Sequence, residues 1–287
     1  MKIITFAAIK GGVGKTTLTF NYGEWLSSKG HNVLLIDSDH QCSLTQTYDI
    51  YKDHGTLANI FTKDSEKVEI IELHKNLSII PASMQLDTIN NDLQTRANKE
   101  LLMYMWFSDN YDELKKFDYV LIDTHPDFST ITQNMIVISD LVFSPIEPSE
   151  YGFISKSNLE LRMEQLKQDV INVESRQSFV TARLKFIGNR IKHNTKSSHE
   201  FVKQIEKDPR TIALVPEREI FNKTTLNHEP LIKMEEENNS TPKSRKFFEN
   251  IDNIFATFTS QWSQYMMICD HILCYAILCY DIKNRKD

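Results

Sequence analysis

The sequence predicts an α/β fold with a doubly wound, mostly parallel sheet and helices on both faces. Three observations predict it. Short apolar runs recur along the chain, and they are continuous rather than alternating, as strands covered on both faces require. Stretches with helical spacing separate these runs, which is the strand–helix–strand order of a doubly wound sheet. A glycine-rich loop lies between the first strand and the first helix, where such folds bind their ligands.

Seven segments are predicted to be buried strands, because each is an apolar run bounded by turn-forming residues. They are residues 2–9, 32–37, 77–82, 117–123, 141–148, 184–191 and 211–216. One helix is predicted from Thr16 to Lys29 and another from about Lys243 to Tyr265, with an exposed polar loop over 233–246. A further helix carries an apolar stripe that should pack on the core: Leu159, Met163, Leu166, Val170 and Val173.

The whole chain sets limits on location and partners. Its 287 residues predict a single domain over 1–265 and an atypical, apolar, cysteine-containing tail over 266–287. The net charge is −6, so any nucleic acid must meet a local basic patch. The four cysteines form no C-x-x-C pair, and we find neither a signal peptide nor an apolar run of 18 residues. These features predict a cytoplasmic protein.

The glycine-rich loop "AIKGGVGKTT" (8–17) contains two lysines. Gly14, Lys15 and Thr16 supply the second half of the phosphate-loop pattern G-x-x-x-x-G-K-[ST], but Ile9 stands where the first glycine belongs. Backbone N–H groups at a helix N-terminus can hold phosphate oxygens in this setting. Lys15 is predicted to contact the β- and γ-phosphates, and the Thr16 hydroxyl is predicted to ligate Mg²⁺. The second lysine, Lys10, needs another explanation.

The stretch "KGGVGKTT" resembles the deviant Walker A box of the ParA/MinD family of P-loop ATPases. The resemblance implies ATP and Mg²⁺ as cofactors and a homodimer that closes over two ATP molecules. In such a dimer Lys10 would reach the partner's phosphates and stabilise transition-state charge, as an arginine finger does in trans. Lys10 and Lys15 are thus two predicted catalytic residues. The nucleotide would contact Lys10, Gly11, Gly12, Val13, Gly14, Lys15, Thr16 and Thr17.

Two further motifs supply carboxylates. "LLIDSDHQCSLT" resembles the family's D-x-D-P-Q-G-x-[LT] stretch, with His40 in place of proline and Cys42 in place of glycine. Asp37 is predicted to orient the attacking water and to lie at the metal, whereas Asp39 would support the loop or a metal-bound water. A histidine also replaces the first proline of the family's D-T-P-P in "FDYVLIDTHP", whose Asp123 would hold Mg²⁺. The predicted metal residues are Thr16, Asp37 and Asp123.

The second half of the chain resembles the family less closely. "GNRIKHNTKSS" places Asn189 where the family has an adenine-contacting asparagine. "VPEREIFNKTTLNHEPLI" keeps the spacing of the family's prolines at Pro216 and Pro230, although Glu217 stands where arginine is usual. Asn189, Pro216 and Glu217 are therefore predicted to contact the nucleotide.

The resemblance implies a function in DNA segregation. The chain is most similar to the short members, which partition plasmids or chromosomes. Their ATP dimers bind DNA without sequence preference, and a ParB-type centromere-binding protein stimulates slow hydrolysis and release. The chain is thus expected to be an ATPase associated with the nucleoid. Nine residues are candidates for the DNA contact: Lys192, His193, Lys196, Lys203, Lys207, Arg210, Lys243, Arg245 and Lys246.

Three other functions were weighed. A MinD-like ATPase would bind membrane through a C-terminal amphipathic helix, but the basic residues of the tail follow its apolar run instead of forming one face, which disfavours a membrane partner. A nucleotide-binding switch without turnover would need neither Lys10 nor Asp37. An iron–sulfur reductase would need mid-chain cysteines, and the sequence has none between Cys42 and Cys269.

Overall fold

The computed structural model of the protein describes residues 1–62, 66–192, 195–238 and 241–262. Its centre is an eight-stranded sheet with the order β3-β4-β2-β5-β1-β6-β7-β8. The strands are β1 (Lys2–Phe6), β2 (Val33–Ser38), β3 (Ile71–His74), β4 (Leu77–Ile80), β5 (Tyr119–Thr124), β6 (Leu141–Ile146), β7 (Arg183–Ile191) and β8 (Thr211–Pro216). All neighbours pair in parallel except β3 and β4. The predicted doubly wound α/β fold is confirmed.

Strand β3 was not predicted. It pairs antiparallel with β4 at the edge of the sheet, and its residues alternate between half-buried and exposed. A strand of four residues without a continuous apolar run gives little signal in the sequence. The seven predicted strands correspond to the seven others.

Twelve helices lie among the described residues. They are α1 (Lys15–Ser28), α2 (Ser43–Thr47), α3 (Ala58–Phe61), α4 (Leu86–Asp92), α5 (Leu102–Asp109), α6 (Tyr111–Leu114), α7 (Thr130–Val137), α8 (Glu150–Asp169), α9 (Lys196–Ile205), α10 (Glu219–Leu226), α11 (Leu231–Asn238) and α12 (Pro242–Ser260). Two short 3₁₀ turns, Leu93–Thr95 and Lys99–Leu101, precede α5. Among these helices, none is both long and apolar enough to span a membrane.

The central strands are buried on both faces, which explains their continuous apolar runs. Ile4, Leu35 and Leu121 pack in a cluster with side chains of α1 and α12. Their neighbours in sequence, Ile3 and Leu34, pack in a second cluster with side chains of α5 and α7. Because successive side chains of a strand point to opposite faces, each strand needs an apolar residue at nearly every position.

Helix α12 covers the face occupied by α1. Tyr22 of α1 packs against the rings of Phe255 and Phe258, with centroids 5.5 and 5.3 Å apart. Just past the end of α12, the Trp262 ring lies 5.5 Å from the Lys2 amine at the start of β1. Helix α12 therefore ends near the edge where the parallel strands begin, and it starts toward the edge where they end.

Several predictions about segments need correction or stay open. Val173 is 76% exposed, because α8 stops at Asp169 and the buried stripe ends at Val170. The predicted loop over 233–246 is largely helical, since α11 reaches Asn238 and α12 starts at Pro242. Helix α12 ends at Ser260, so the predicted end at Tyr265 is wrong. The tail 266–287 with Cys269, Cys274 and Cys279 and the candidate His193 lie outside the described residues. The domain boundary at residue 265 therefore stays a prediction.

Candidate functional site

The predicted site residues meet at the edge where the parallel strands end. Asp37 near the end of β2 is in register with Asp123 of β5, and Asp123 is also in register with Phe6, the last residue of β1. The glycine loop follows β1 directly and leads into α1. Strand register therefore places two buried carboxylates next to the loop, as is usual for ligand sites of doubly wound sheets.

The glycine loop has a backbone conformation that explains two of its glycines. Gly12 and Gly14 have φ angles of 74° and 93°, in the left-handed region that other residues rarely adopt. Gly14 also has no room for a side chain, because an added Cβ would lie 2.5 Å from Nδ2 of Asn189. That nitrogen donates a hydrogen bond of 2.7 Å to the carbonyl of Val13. Asn189, predicted to contact adenine, thus also supports the loop.

Lys15 is the first residue of α1, and only 6% of it is exposed. Burial lowers the pKa of its amine, while the charges of Asp123, Asp39 and Asp127 act in the opposite direction. A buried ammonium group at a helix N-terminus, where backbone N–H groups also point outward, is a strong anion site. This position fits the predicted contact with phosphates.

The residues around Asp123 fit a Mg²⁺ ion. Thr16 Oγ1 donates a 2.6 Å hydrogen bond to Asp123 Oδ2, so a hydroxyl and a carboxylate converge on one point. The other oxygen, Asp123 Oδ1, is buried and has no hydrogen-bond partner among the described residues. Burial, and next the charge of Asp37, raise the pKa of Asp123 well above its usual value. A hard cation would satisfy the unpaired oxygen and relieve this repulsion.

Asp37 is fully buried and is held in place by its neighbours. Its Oδ2 accepts hydrogen bonds from the Thr45 amide (2.8 Å) and hydroxyl (2.7 Å), and its Oδ1 accepts one from the Asp39 amide (3.1 Å). Burial raises the pKa of Asp37 to about 6, although the bonds from Thr45 partly oppose the rise. This fixed carboxylate fits the predicted role of orienting a water. Thr45 lies in the quoted motif, but its contact with Asp37 was not predicted.

Lys10 does not point into its own loop. Its amine forms an ion pair with Glu147 and lies 3.4 Å from the hydroxyl of Ser149, and its side chain is 30% exposed. Ser149 caps α8 by accepting a hydrogen bond from Gly152, a position where an added Cβ would lie 2.4 Å from the Glu147 carbonyl. The two lysines therefore have different environments, since Lys15 is buried and Lys10 is half-buried in an ion pair. Glu147 and Ser149 lie in "IEPSEYG", whose sequence gave no sign of a contact with Lys10.

The three residues predicted for the adenine side line one cavity. Asn189, Pro216 and Glu217 surround a space of about 210 Å³ together with Gly14 and Thr17 at the start of α1. The cavity connects the end of β8 to the glycine loop. A nucleotide with its phosphates at the loop would have its sugar or base near this cavity, so the arrangement is compatible with the predicted contacts.

Two substitutions relative to the family motifs lie next to each other. His40 and His125 have ring centroids 4.2 Å apart, and His125 Nδ1 is 2.8 Å from Asp39 Oδ1. The same Asp39 oxygen accepts a hydrogen bond from the Gln41 amide. Cys42, the other departure, is buried in a left-handed conformation with φ of 55°, where glycine is the favoured residue. The sequence alone did not predict that His40 and His125 lie next to each other.

A family model and several curated proteins match this chain. The family model described as "AAA domain" matches residues 1–176. The sporulation initiation inhibitor protein Soj of Bacillus subtilis is 32% identical over 178 residues, which are 60% of this chain and 68% of Soj. The maintenance of carboxysome distribution protein A of Synechococcus elongatus is 29% identical over 189 residues, which are 65% of this chain and 72% of that protein.

A solved structure shows the same fold. It is that of a candidate plasmid partition protein from Borrelia burgdorferi bound to AMPPNP, with a TM-score of 0.72 and 23% identity. The similarity covers 91% of this chain and 99% of the other. It therefore includes the helices that follow residue 176.

Proposed function

The chain belongs to the ParA/MinD-type P-loop ATPases of the AAA-domain family, and on that basis we propose that it is a DNA-partition ATPase. Two subunits with bound Mg·ATP form a sandwich dimer, and the dimer binds DNA without sequence preference. A ParB-type partner stimulates slow hydrolysis, which releases the DNA. Soj supports the proposal as a relative, because it is 32% identical over 60% of this chain and the match covers 68% of Soj.

The observation that carries the proposal is the different placement of the two lysines. Lys15 is buried at the start of α1, whereas Lys10 is half-buried in an ion pair with Glu147. A lysine that served only its own nucleotide would gain from burial beside it, as Lys15 does. The exposed part of Lys10 can be reached by a second subunit, which supports a contact with the partner's phosphates.

We expect the Lys10→Ala protein to bind ATP as a monomer but to lose ATP-dependent dimerisation. Its hydrolysis should fall by about 10³-fold or more, the effect of losing a cationic finger supplied in trans. Calorimetry measures ATP affinity, sedimentation measures the dimer, and phosphate release measures turnover. Lys52→Ala is a matched control, because Lys52 is also a half-buried lysine paired with a glutamate, Glu69. Normal dimerisation by Lys10→Ala would remove the cross-subunit role.

One of the predicted basic clusters is best placed for DNA. Among the candidates, Lys192 pairs with Glu217, Lys196 with Glu200, and Arg210 with Asp208. Lys203 and Lys207 of α9 are exposed, and the described part of the chain shows no ion pair for them, but they are only two charges. Lys243, Arg245 and Lys246, at the start of α12, are exposed, and within the described ranges we find no ion pair that engages them. Helix α12 starts toward the edge that carries the nucleotide residues. A dimer formed at that edge would present two such clusters together.

We expect duplex DNA of arbitrary sequence to bind only when ATP is present, since dimerisation doubles the basic cluster. Binding should weaken with salt, with a log–log slope of about −0.9 for each phosphate neutralised. Changing Lys243, Arg245 and Lys246 together to alanine should reduce both affinity and slope in a gel-shift assay. Lys75→Ala with Lys116→Ala is the control, because both lysines are exposed at the opposite edge of the sheet.

The same proteins test the alternative partners. ATP-independent DNA binding, or no binding at any salt concentration, would contradict the proposed partition function. A MinD-like protein would instead sediment with anionic liposomes in ATP and would lose that property on deletion of 266–287. An ATP dimer that binds DNA normally but never releases phosphate would indicate a switch without turnover.

A further inference from the structure

Asp39, His40 and His125 form a compact group of side chains at the outer side of the phosphate site. Each offers one ligand atom, and the three atoms lie within 4.8 Å of one another. The group joins the segment after β2 to the segment after β5, so residues 86 positions apart in sequence meet here. Asp39 is nearly buried and the histidines are half-buried, which leaves one side of the group open to solvent.

The spacing fits one metal ion. Zn²⁺ bonds to imidazole nitrogen and carboxylate oxygen at about 2.0–2.2 Å, so two ligand atoms of one ion are at most about 4.4 Å apart. The three ligand atoms all lie within 4.8 Å of one another, so a small rotation of one ring would bring any wider pair within that limit. The hydrogen bond between Asp39 and His125 brings two of the ligand atoms to 2.8 Å, and an ion bound by both would displace the proton that the imidazole nitrogen donates to the carboxylate.

The donor atoms indicate which class of ion would bind. Mg²⁺ prefers an all-oxygen set, as offered by Thr16 and Asp123, whereas imidazole selects borderline ions such as Zn²⁺, Ni²⁺ and Co²⁺. The surroundings are also negative, because the carboxylates of Asp37 and Asp123 lie nearby and Lys15 is the neighbouring cation. Two chemically distinct cation sites therefore lie side by side.

The backbone holds the group in shape. The Asp39 carbonyl accepts a 2.8 Å hydrogen bond from the Cys42 amide, and its carboxylate accepts one of 2.9 Å from the Gln41 amide. These bonds close a tight turn that fixes the backbone of His40 between Asp39, which accepts both bonds, and the two donors Gln41 and Cys42. A ligand carboxylate supported by a neighbouring amide is the arrangement that orients metal sites in proteins.

We propose that Asp39, His40 and His125 bind one borderline divalent cation of the Zn²⁺ class, with a coordination position left open to water or another oxygen ligand. The ion would link the segments after β2 and β5 beside the phosphate site. The proposal rests on these three side chains, and it holds whether or not the protein partitions DNA.

Titration of the full-length protein with Co²⁺, in the absence of nucleotide and Mg²⁺, tests the site. One equivalent should bind and give the visible absorption of cobalt with nitrogen and oxygen ligands, and Zn²⁺ should displace it. His40→Ala and His125→Ala should each weaken binding by about tenfold or more, since removal of even an outer partner of a metal ligand costs about 10–100-fold. The nearest matched control is His228→Ala, because His228 also pairs with an aspartate, Asp49, without a second histidine.

Several outcomes would overturn the proposal. Absence of stoichiometric Co²⁺ binding by the wild-type protein is one. Unchanged Co²⁺ binding by the double variant His40→Ala/His125→Ala would also contradict it. A near-ultraviolet thiolate band in that variant would show that the ion binds to cysteines instead. Equal loss of binding in His228→Ala would show a diffuse surface effect. Thermal unfolding of each variant without metal verifies that its fold is retained, and His40→Gln and His125→Gln replace any alanine variant that unfolds.

Discussion

The Lys15→Ala protein is expected to lose nearly all affinity for Mg·ATP, by about 10²–10³-fold. Lys15 is buried, and its charge interacts with three carboxylates, those of Asp123, Asp39 and Asp127. Without it, phosphates would enter a buried site with negative neighbours and no counter-charge. Leaving a buried charge without its partner costs about 3–5 kcal/mol, and each 1.4 kcal/mol corresponds to about tenfold in affinity.

Isothermal titration calorimetry with a non-hydrolysable ATP analogue measures this loss without interference from turnover. Lys29→Ala is the control, because Lys29 follows the other end of α1 and is half-exposed in an ion pair with Asp252. Circular dichroism of both variants verifies that the fold is intact. Affinity within a few-fold of wild type in Lys15→Ala would remove the assignment of the glycine loop as the phosphate site.

Most of the sheet was predictable because burial on both faces leaves a clear pattern. A strand such as β5 needs apolar residues at consecutive positions, and such runs stand out from the helices between them. Strand β3 was not predicted, because it is an edge strand that pairs only with β4 among the described strands and its residues alternate between half-buried and exposed. The polar segment 233–246 looked like a loop because its charged residues outnumber its apolar ones. Met234, a buried residue of α11, is the one apolar side chain of this segment that indicated a packed helix, and a single residue is too weak a pattern.

The phosphate side of the site was predictable for a different reason. Glycines, a lysine and a threonine must be consecutive in sequence to form one loop, so Gly14, Lys15 and Thr16 carry the information locally. Asp37 and Asp123 could be located because both close apolar strands. Contacts between distant segments left no such local sign. Neither the ion pair of Lys10 with Glu147 nor the meeting of His40 with His125 follows from spacing, since each depends on how loops from separate strands approach one another.

The Asp37→Ala protein is expected to bind ATP and to form the ATP dimer, yet to hydrolyse ATP about 10²–10⁴-fold more slowly. The reason is the loss of a fixed carboxylate that orients the attacking water, an effect of the size measured for general bases. The substitution has a second consequence, because Asp37 accepts two hydrogen bonds from Thr45. A buried donor left without an acceptor costs about 1–3 kcal/mol, so the variant should also unfold at lower denaturant concentration.

Asp37→Asn separates the two effects. Its side-chain oxygen can still accept hydrogen bonds from Thr45, so stability should be nearer to wild type, but the amide carries no charge to align a water and hydrolysis should stay slow. Single-turnover phosphate release measures the chemical step, sedimentation in ATP detects the trapped dimer, and urea unfolding measures stability. We expect slow hydrolysis in both variants and a loss of stability mainly in the Asp37→Ala variant. Wild-type turnover by Asp37→Asn would instead move the catalytic role to Asp39 or to the backbone, since a neutral amide cannot replace a carboxylate that accepts a proton.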